Sequence, residues 1–504
     1  MAGVASKVGQ EQVSAVCLGS INNPVKFAGQ DFKKLKEECL KLGKLFEDPK
    51  FPAAQTSLGK DKLGPWSKEA KGLVWKRPKE IKENPAFIVT GAERGDVCQG
   101  RLGDCWFLAS IASLSMNKDC LFRVVPQDQS FDKGYAGIFY FSFWQYGEWV
   151  DVVIDDRLPT KKNKLLFVKS ETSNEFWTAL LEKAYAKING SYEALIGGHM
   201  VESLADFTGG VGVIYRSQSA PNDYFQIIQR TLRDKCLAGC ASIRDAEDES
   251  IVGGHAYTIT GAEEVTYNGD KVQLIRARNP WGHKEWKGAW SDNSEEWKKV
   301  NEEDKKKLKY NPDDGEFWIA FPDFLKQFPK VHICDITLSE VCCSDNYKYC
   351  LTEFNGSWKK GETAGGKYMS DTFWMNPQYR VTLTAPDGDT SKKSPITVSL
   401  MQKANGKKLT RTGFYMFKVN PEDTVPLGKE FFDTSEPVVR KDGFIDRRDV
   451  SGRFELLPGE YVIVVTTKKP AKETDFYLRV FLEIAPGAQT PPGGGVLEDT
   501  YNKL

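Results

Sequence analysis

The feature that most constrains this chain is a change of hydrophobic period at Gly197 and Gly198. Upstream, apolar residues recur at helical spacing, as in NEFWTALLEKAYAKI, beside strand-like runs such as IFYFSFWQYGEWVDVVID. Downstream, to about residue 337, segments such as HAYTITGAEEV and KVQLIRARNPW alternate as half-buried strands do. An α-rich lobe over residues 27–198 and a β-rich lobe over 199–337 are therefore expected. A third pattern follows: YRVTLT, PITVSLMQK, FYMFKV, RFELLPGEYVIVVTT and DFYLRVFLE succeed one another with turn signals between, which predicts an antiparallel β-sandwich over 338–486. Residues 1–26 read as a small, polar N-terminal segment and 487–504 as a Pro/Gly-rich linker or tail. The fold class is α+β. At 504 residues more than one core is required, since single cores stop growing near roughly 250–300 residues.

Composition removes several function classes. Lys plus Arg total 69 and Asp plus Glu total 69, so no net basic field exists to drive nucleic-acid binding. The first twenty residues lack an apolar signal core, and no later run approaches the length of a membrane span, so a cytoplasmic protein is expected. Eleven cysteines at irregular spacings fit neither a disulfide framework nor a structural zinc site. Phe32, Leu35, Cys39, Leu42 and Phe46 fall at helical spacing and predict an amphipathic helix docked on the body.

The strongest chemical signal is QGRLGDCWFLASIASLS. Gly103 and Asp104 form a turn, and Cys105 opens a helix. There the helix dipole and unpaired N–H groups favour thiolate over thiol and are expected to depress its pKa below about 8.5. The Cys105 N–H and the side-chain amide of Gln99 are candidate donors to a developing oxyanion. Of four histidines, His255 alone combines a close backbone approach, at Gly253 and Gly254, with a strand to hold the ring. Asn268 and Gly269 suit a two-residue hairpin turn. An ideal turn would set Asn279 opposite Thr258, facing away from His255, so a bulge that shifts the register by one is required for Asn279 to orient the imidazole.

QGRLGDCWFLASIASLS, GGHAYTITG and RNPWG together resemble the three catalytic segments of calpains, and LGPWSKEAKGLVWKRPKEI, VVIDDRLPT and DTFWMNPQYRV extend the likeness over most of the chain. The resemblance implies a two-lobed, papain-like cysteine protease core followed by a calpain-type sandwich, and limited proteolysis of protein substrates. It implies Cys105, His255 and Asn279 as the triad, Gln99 in the oxyanion hole and Trp281 as the aromatic wedge that moves as the lobes close.

It further implies two non-EF-hand calcium sites. The first uses the carbonyls of Val89 and Gly91 with the carboxylates of Asp96 and Glu175. The second uses Glu285, Asp292, Asp314 and Glu316 with the Pro312 carbonyl. Arg94 resembles the arginine that couples the sites by pairing with Glu316, so the triad is expected to be split without calcium. In the sandwich, Lys392, Lys393, Lys407, Lys408 and Arg411 are candidates for anionic phospholipid contact, which extends the cytoplasmic reading to calcium-driven translocation to membranes. An acidic loop reduced to Asp387 and Asp389 argues against a strong calcium response there. No D-x-[DN]-x-[DN]-G loop is present, so no EF-hand-mediated regulatory subunit is expected. Transglutaminases also use a Cys-led helix, a His and calcium, but normally carry Asp where this chain has Asn279. A catalytically silent scaffold on the same fold is the other alternative.

Overall fold

The computed structural model describes residues 18–483 apart from 90, 246–247, 309–314, 337–348, 386–387, 404–408 and 446. The chain forms two compact units that meet between Asp335 and Ile336. In the first, Asp31 caps helix α1 (Phe32–Leu42) by accepting from the Lys34 N–H, and Gly43 ends it in the left-handed region. Phe32, Leu35 and Cys39 pack against a small core of Phe46, Ala136, Ile138 and Val153. Two residues depart from the amphipathic pattern. Leu42, in the last turn, is 62% exposed, and Phe46 reaches the core from the chain beyond the helix.

The main core surrounds helix α2 (Cys105–Ser115), buried from Trp106 to Ser115. A helix buried all round has no polar face for a period to mark. Its serines find partners inside: Ser110 donates to the Trp106 carbonyl, and the Ser203 hydroxyl lies 2.8 Å from that of Ser110. Strands β1 (Ile138–Gln145) and β2 (Glu148–Asp155) form an antiparallel hairpin, and helices α3 (Trp177–Ile188) and α4 (Met200–Thr208) complete this core. Lys183 and Lys187 of α3 are buried against Asp155 and Asp48, each at 2.6 Å.

A six-stranded sheet follows. It comprises β3 (Val211–Arg216), β4 (Leu237–Ala241), β5 (Ala256–Tyr267), β6 (Asp270–Arg278), β7 (Glu316–Ala320) and β8 (Lys330–Ile336), in the order β7-β6-β5-β4-β8-β3. Helix α5 (Tyr224–Arg233) covers it with Phe225 and Ile228, against Ile259, Ile275, Phe317 and Ile333. Bonds that fasten this sheet to α2 include one from the Thr258 hydroxyl to the Ala109 carbonyl and one from the Ala238 N–H to the Ser113 hydroxyl.

The second unit holds two four-stranded antiparallel sheets. One contains β9 (Tyr349–Trp358), β11 (Ser394–Lys403), β14 (Asp449–Leu456) and β16 (Thr474–Glu483), in the order β9-β16-β11-β14. The other contains β10 (Gln378–Leu383), β12 (Thr412–Val419), β13 (Val439–Lys441) and β15 (Gly459–Thr467), in the order β10-β15-β12-β13. Trp358, Val398, Leu400 and Leu478 of the first sheet share one core with Tyr379, Phe414, Met416 and Ile463 of the second. Among the described residues no helix is long and apolar enough to cross a membrane.

Candidate active site

Cys105 is the first residue of α2, and the Asp104 carbonyl begins the helix by accepting from the Phe107 and Leu108 N–H groups. The thiol is half-buried. Burial pushes its pKa up, the backbone N–H of Ala256 opposes this, and the Asp104 carboxyl adds to the rise. The expected depression is therefore overturned: partial burial weakens the hydration of a thiolate, and among the described residues no cation is a leading influence to offset that loss.

His255 lies immediately before β5 and is 5% exposed. Ser242 clasps its backbone, the Ser242 hydroxyl accepting from the His255 N–H while the Ser242 N–H donates to the His255 carbonyl, both at 2.9 Å. Gly253 is required by close approach, because a Cβ there would lie 2.2 Å from the Arg244 carbonyl oxygen. Gly254 supplies a positive φ of 63°. The imidazole packs on Trp281, ring centres 5.0 Å apart, and edge-on to Tyr257 at 5.2 Å. Burial lowers its pKa to about 4, with Asn279 opposing, so the ring is neutral at pH 7. No hydrogen bond joins the Cys105 thiol to this ring among the described residues.

The required register shift is present. Asn268 and Gly269 make a two-residue turn that pairs Tyr267 with Asp270, and the register holds as far as Gly261↔Arg276. It then moves by one, to Ile259↔Ala277 and Thr258↔Arg278, with Thr260 as the extra residue. Arg276 satisfies this bulge, its guanidinium donating to the Thr260 hydroxyl at 3.0 Å and to the Thr260 carbonyl at 3.2 Å. The consequence is a 3.0 Å contact between His255 Nε2 and Asn279 Oδ1.

Asn279 is fully buried and uses every polar atom of its amide. Nδ2 donates to the carbonyls of His283 and Lys284, both at 2.9 Å, while Oδ1 accepts from the Trp281 N–H and faces His255. An aspartate has no N–H for those two carbonyls. The residue type that separated this chain from a transglutaminase is thus demanded by the loop that follows it.

Trp281 bridges His255 and Gln99, its indole N–H donating to Gln99 Oε1 at 2.8 Å. Gln99 Nε2 donates to the Leu102 carbonyl at 2.7 Å and lies 3.5 Å from Asp104 Oδ1. Behind it lies a group that the sequence did not flag. Asp104 and Glu182 are buried with their carboxyls in hydrogen-bonding reach of each other. Burial raises Asp104 to about 7 and Glu182 well above its usual range. Two carboxylates so placed hold a proton between them. Glu182 also accepts from the Val168 N–H. The only sequence signal was an acidic residue in the apolar face of α3.

Of the first group of candidate calcium ligands, Asp96 and Glu175 are buried and meet across Ser170, whose hydroxyl lies 3.3 Å from Asp96 Oδ1 and 2.9 Å from Glu175 Oε2. The Val89 N–H donates to Glu175 Oε1, and Gly91 has a φ of 95°. Burial and then the Asp96 charge raise Glu175 to about 7 against the Val89 bond. Two converging carboxylates beside exposed backbone fit the all-oxygen chemistry of a calcium ion. In the second group, Glu285 and Asp292 line a cavity of about 660 Å³, and Glu285 accepts from the Gly315 N–H. Pro312 and Asp314 lie outside the described residues. The Glu316 carboxylate pairs with Arg94 through both oxygens and with Arg276 at 3.3 Å. Among the described residues no group of three or more Asp, Glu, His or Cys is clustered as a metal site. Of the sandwich candidates, Lys407, Lys408 and Asp387 lie outside the described residues, and Lys392 pairs with Asp389 at 3.5 Å.

Residues 46–335 match the model of the calpain family cysteine proteases, and residues 354–481 match that of the calpain large subunit, domain III. The chain is 49% identical to the calpain-2 catalytic subunit of Bos taurus and 48% to that of Homo sapiens, in each case over 96% of this chain and 72% of the relative. It is 46% identical to calpain-8 of Homo sapiens over the same shares. Fold, site and matches define a cysteine protease, a hydrolase of the thiol class. The chain belongs to the calpain family.

Proposed function

We propose that this protease is a calcium-dependent endopeptidase performing limited proteolysis of protein substrates, with a papain-like layout in which Cys105 leads the buried helix of one lobe and His255 and Asn279 stand on the sheet of the other. The observation that carries the reading is Asn279: its two donors are spent on the following loop, and its oxygen is aimed at His255 Nε2. That leaves Nδ1 of the imidazole to take the Cys105 proton.

In this reading the Cys105 sulfur attacks the scissile carbonyl carbon as His255 accepts the thiol proton. The oxyanion lies toward the Cys105 N–H and Gln99 Nε2, whose second N–H would turn to it from Asp104 Oδ1 at 3.5 Å. Collapse expels the amine, which takes the proton from His255, and water then hydrolyses the thioester with His255 again as base. Trp281, bound to both Gln99 and the Asn279 loop, ties the oxyanion donor to the base.

Val89, Gly91, Asp96 and Glu175 would hold one calcium ion, and Glu285 and Asp292 with Pro312, Asp314 and Glu316 a second. Bound calcium would supply charge that cancels carboxylate repulsion. The chain's own contribution is the Arg94–Glu316–Arg276 series, which ends on the Thr260 bulge that sets the His255–Asn279 register. The step left for activation is the approach of His255 to Cys105. Cytoplasmic residence, with calcium-driven movement to membranes through sandwich residues including Lys393 and Arg411, belongs to the same proposal.

The test is hydrolysis of unfolded casein in reducing buffer across a calcium series, with Cys105→Ala as control. Cleavage that needs both calcium and Cys105 is expected. Cleavage independent of calcium, or retained in the variant, would overturn the reading.

A further inference from the structure

Charge in this chain balances overall but not locally. Residues 60–79 carry seven Lys and Arg against Asp61 and Glu69, and residues 157–169 carry five against none. The fold brings these two stretches together. Val74–Lys76 pairs with Leu158–Lys161, which turns through Lys162 and Asn163 onto Lys164–Leu165. The Lys161 ammonium donates to the Lys68 carbonyl at 2.6 Å, joining the tip of that hairpin to the turn that carries Trp66.

Trp66 is 97% exposed, and Lys62, Lys68, Lys71, Lys162 and Lys164 are exposed around the same turns. Among the described residues Lys62, Lys71, Lys162 and Lys164 make no ion pair, and Lys68 only approaches Glu69 at 3.8 Å. Of the other carboxylates close by, Glu193 is spent on the N–H groups of Asp61 and Leu63, and Asp61 is exposed on the same turns, one carboxylate against the five lysines.

The chain buries Trp106, Trp144, Trp149 and Trp177, whereas Trp66 stands in water among exposed lysines and makes with them an amphipathic, positively charged face. A ring so exposed stands proud of the surface and lines no groove, so nothing there would grip the side chain of a peptide. A fluid layer of anionic headgroups needs no groove. It accepts an indole at its amphipathic boundary and attracts lysines through their summed field. We propose that this face, Trp66 within its lysine collar, docks the protease unit on an anionic phospholipid surface, independently of calcium and of the sandwich.

The test is co-sedimentation of the full chain, in chelator, with phosphatidylcholine vesicles with and without phosphatidylserine. Binding only to the phosphatidylserine vesicles, weakening with salt, is expected. Lys68→Gln with Lys71→Gln should weaken it about 25-fold, at roughly fivefold per lysine. Trp66→Ala should weaken it several-fold. Casein hydrolysis in free solution should stay at the parent rate in both, which shows that the variants are folded. Absence of binding, binding indifferent to these substitutions, or binding lost instead in Lys392→Gln with Lys393→Gln would each overturn the proposal. So would capture by soluble polyglutamate with no preference for vesicles.

Discussion

Both units have apolar cores, but they differ in how much charge they bury. The sandwich fills its core with Val381, Ile396, Val398, Leu400, Ile463 and Leu478, and its chief buried cation, Arg479, lies beside Ser399. The protease unit also buries Lys183, Lys187, Asp104, Glu182, Glu175, Arg278 and Asn279. An apolar core holds by volume and area, and a residue of similar size substitutes for another. A buried polar group holds only through named partners, and its loss leaves another group unsatisfied. Sandwich substitutions should therefore cost stability alone, whereas protease-unit substitutions should cost catalysis out of proportion to stability.

The comparison breaks most sharply at Cys105. Cys105→Ala should reduce casein hydrolysis on the order of 10⁴-fold or more with the melting temperature unchanged. A residual rate within tenfold of the parent would remove Cys105 as nucleophile. Asn279→Asp comes next. It keeps an acceptor for His255 but strands the carbonyls of His283 and Lys284 and buries a charge, so kcat should fall about 10²- to 10³-fold. An active aspartate variant would show that the two donors do not matter.

Arg276→Met removes the partner of the Thr260 bulge and one partner of Glu316. A loss of roughly tenfold to a hundredfold in kcat, with KM little changed, is expected from a base held out of register. An unchanged kcat would uncouple the bulge from the site. Leu400→Ala in the sandwich should cost about 2–5 kcal/mol in the unfolding of that unit and leave kcat alone. A matching loss of kcat would show that the units do not divide the work as described.

The smallest effect is one of pH. His255 has a folded pKa of about 4 against 6.5 unfolded, so on acidification the unfolded chain takes up a proton that the fold refuses. Its contribution to stability is present above pH 6.5 and is lost as pH falls toward 4, by about 2 kcal/mol between pH 7 and 5. His255→Gln should flatten that slope in the unfolding of the protease unit. All four histidines precede residue 335, so the sandwich transition is the internal control.

Legibility followed the same division. Strands of the sandwich were readable because alternation records which face is buried. The helix from Cys105 was readable from its opening Gly-Asp turn and from apolar or small residues at Trp106, Ala109, Ala112 and Ser113, although total burial leaves no polar face to sharpen that period. Asn268–Gly269 announced the hairpin, and the need for a bulge followed from counting residues back to His255. Which residue would bulge did not follow, because that depends on Arg276 being free to reach Thr260. Leu42 misled because the spacing of a helix does not say where its support ends.

By itself, then, the sequence determined the order of the units, the Cys-led helix, the His-bearing strand and the asparagine that follows its hairpin. These rest on local chemistry and on periods of a few residues. Only the tertiary structure decided that Thr258 pins the sheet to the Ala109 carbonyl, that Asp104 and Glu182 share a buried pocket, that Glu316 lies between Arg94 and Arg276, and that the Cys105 thiol is raised rather than lowered. Each joins groups at least 40 residues apart or depends on the water excluded around them, and neither distance in space nor desolvation is written in the local order of residues.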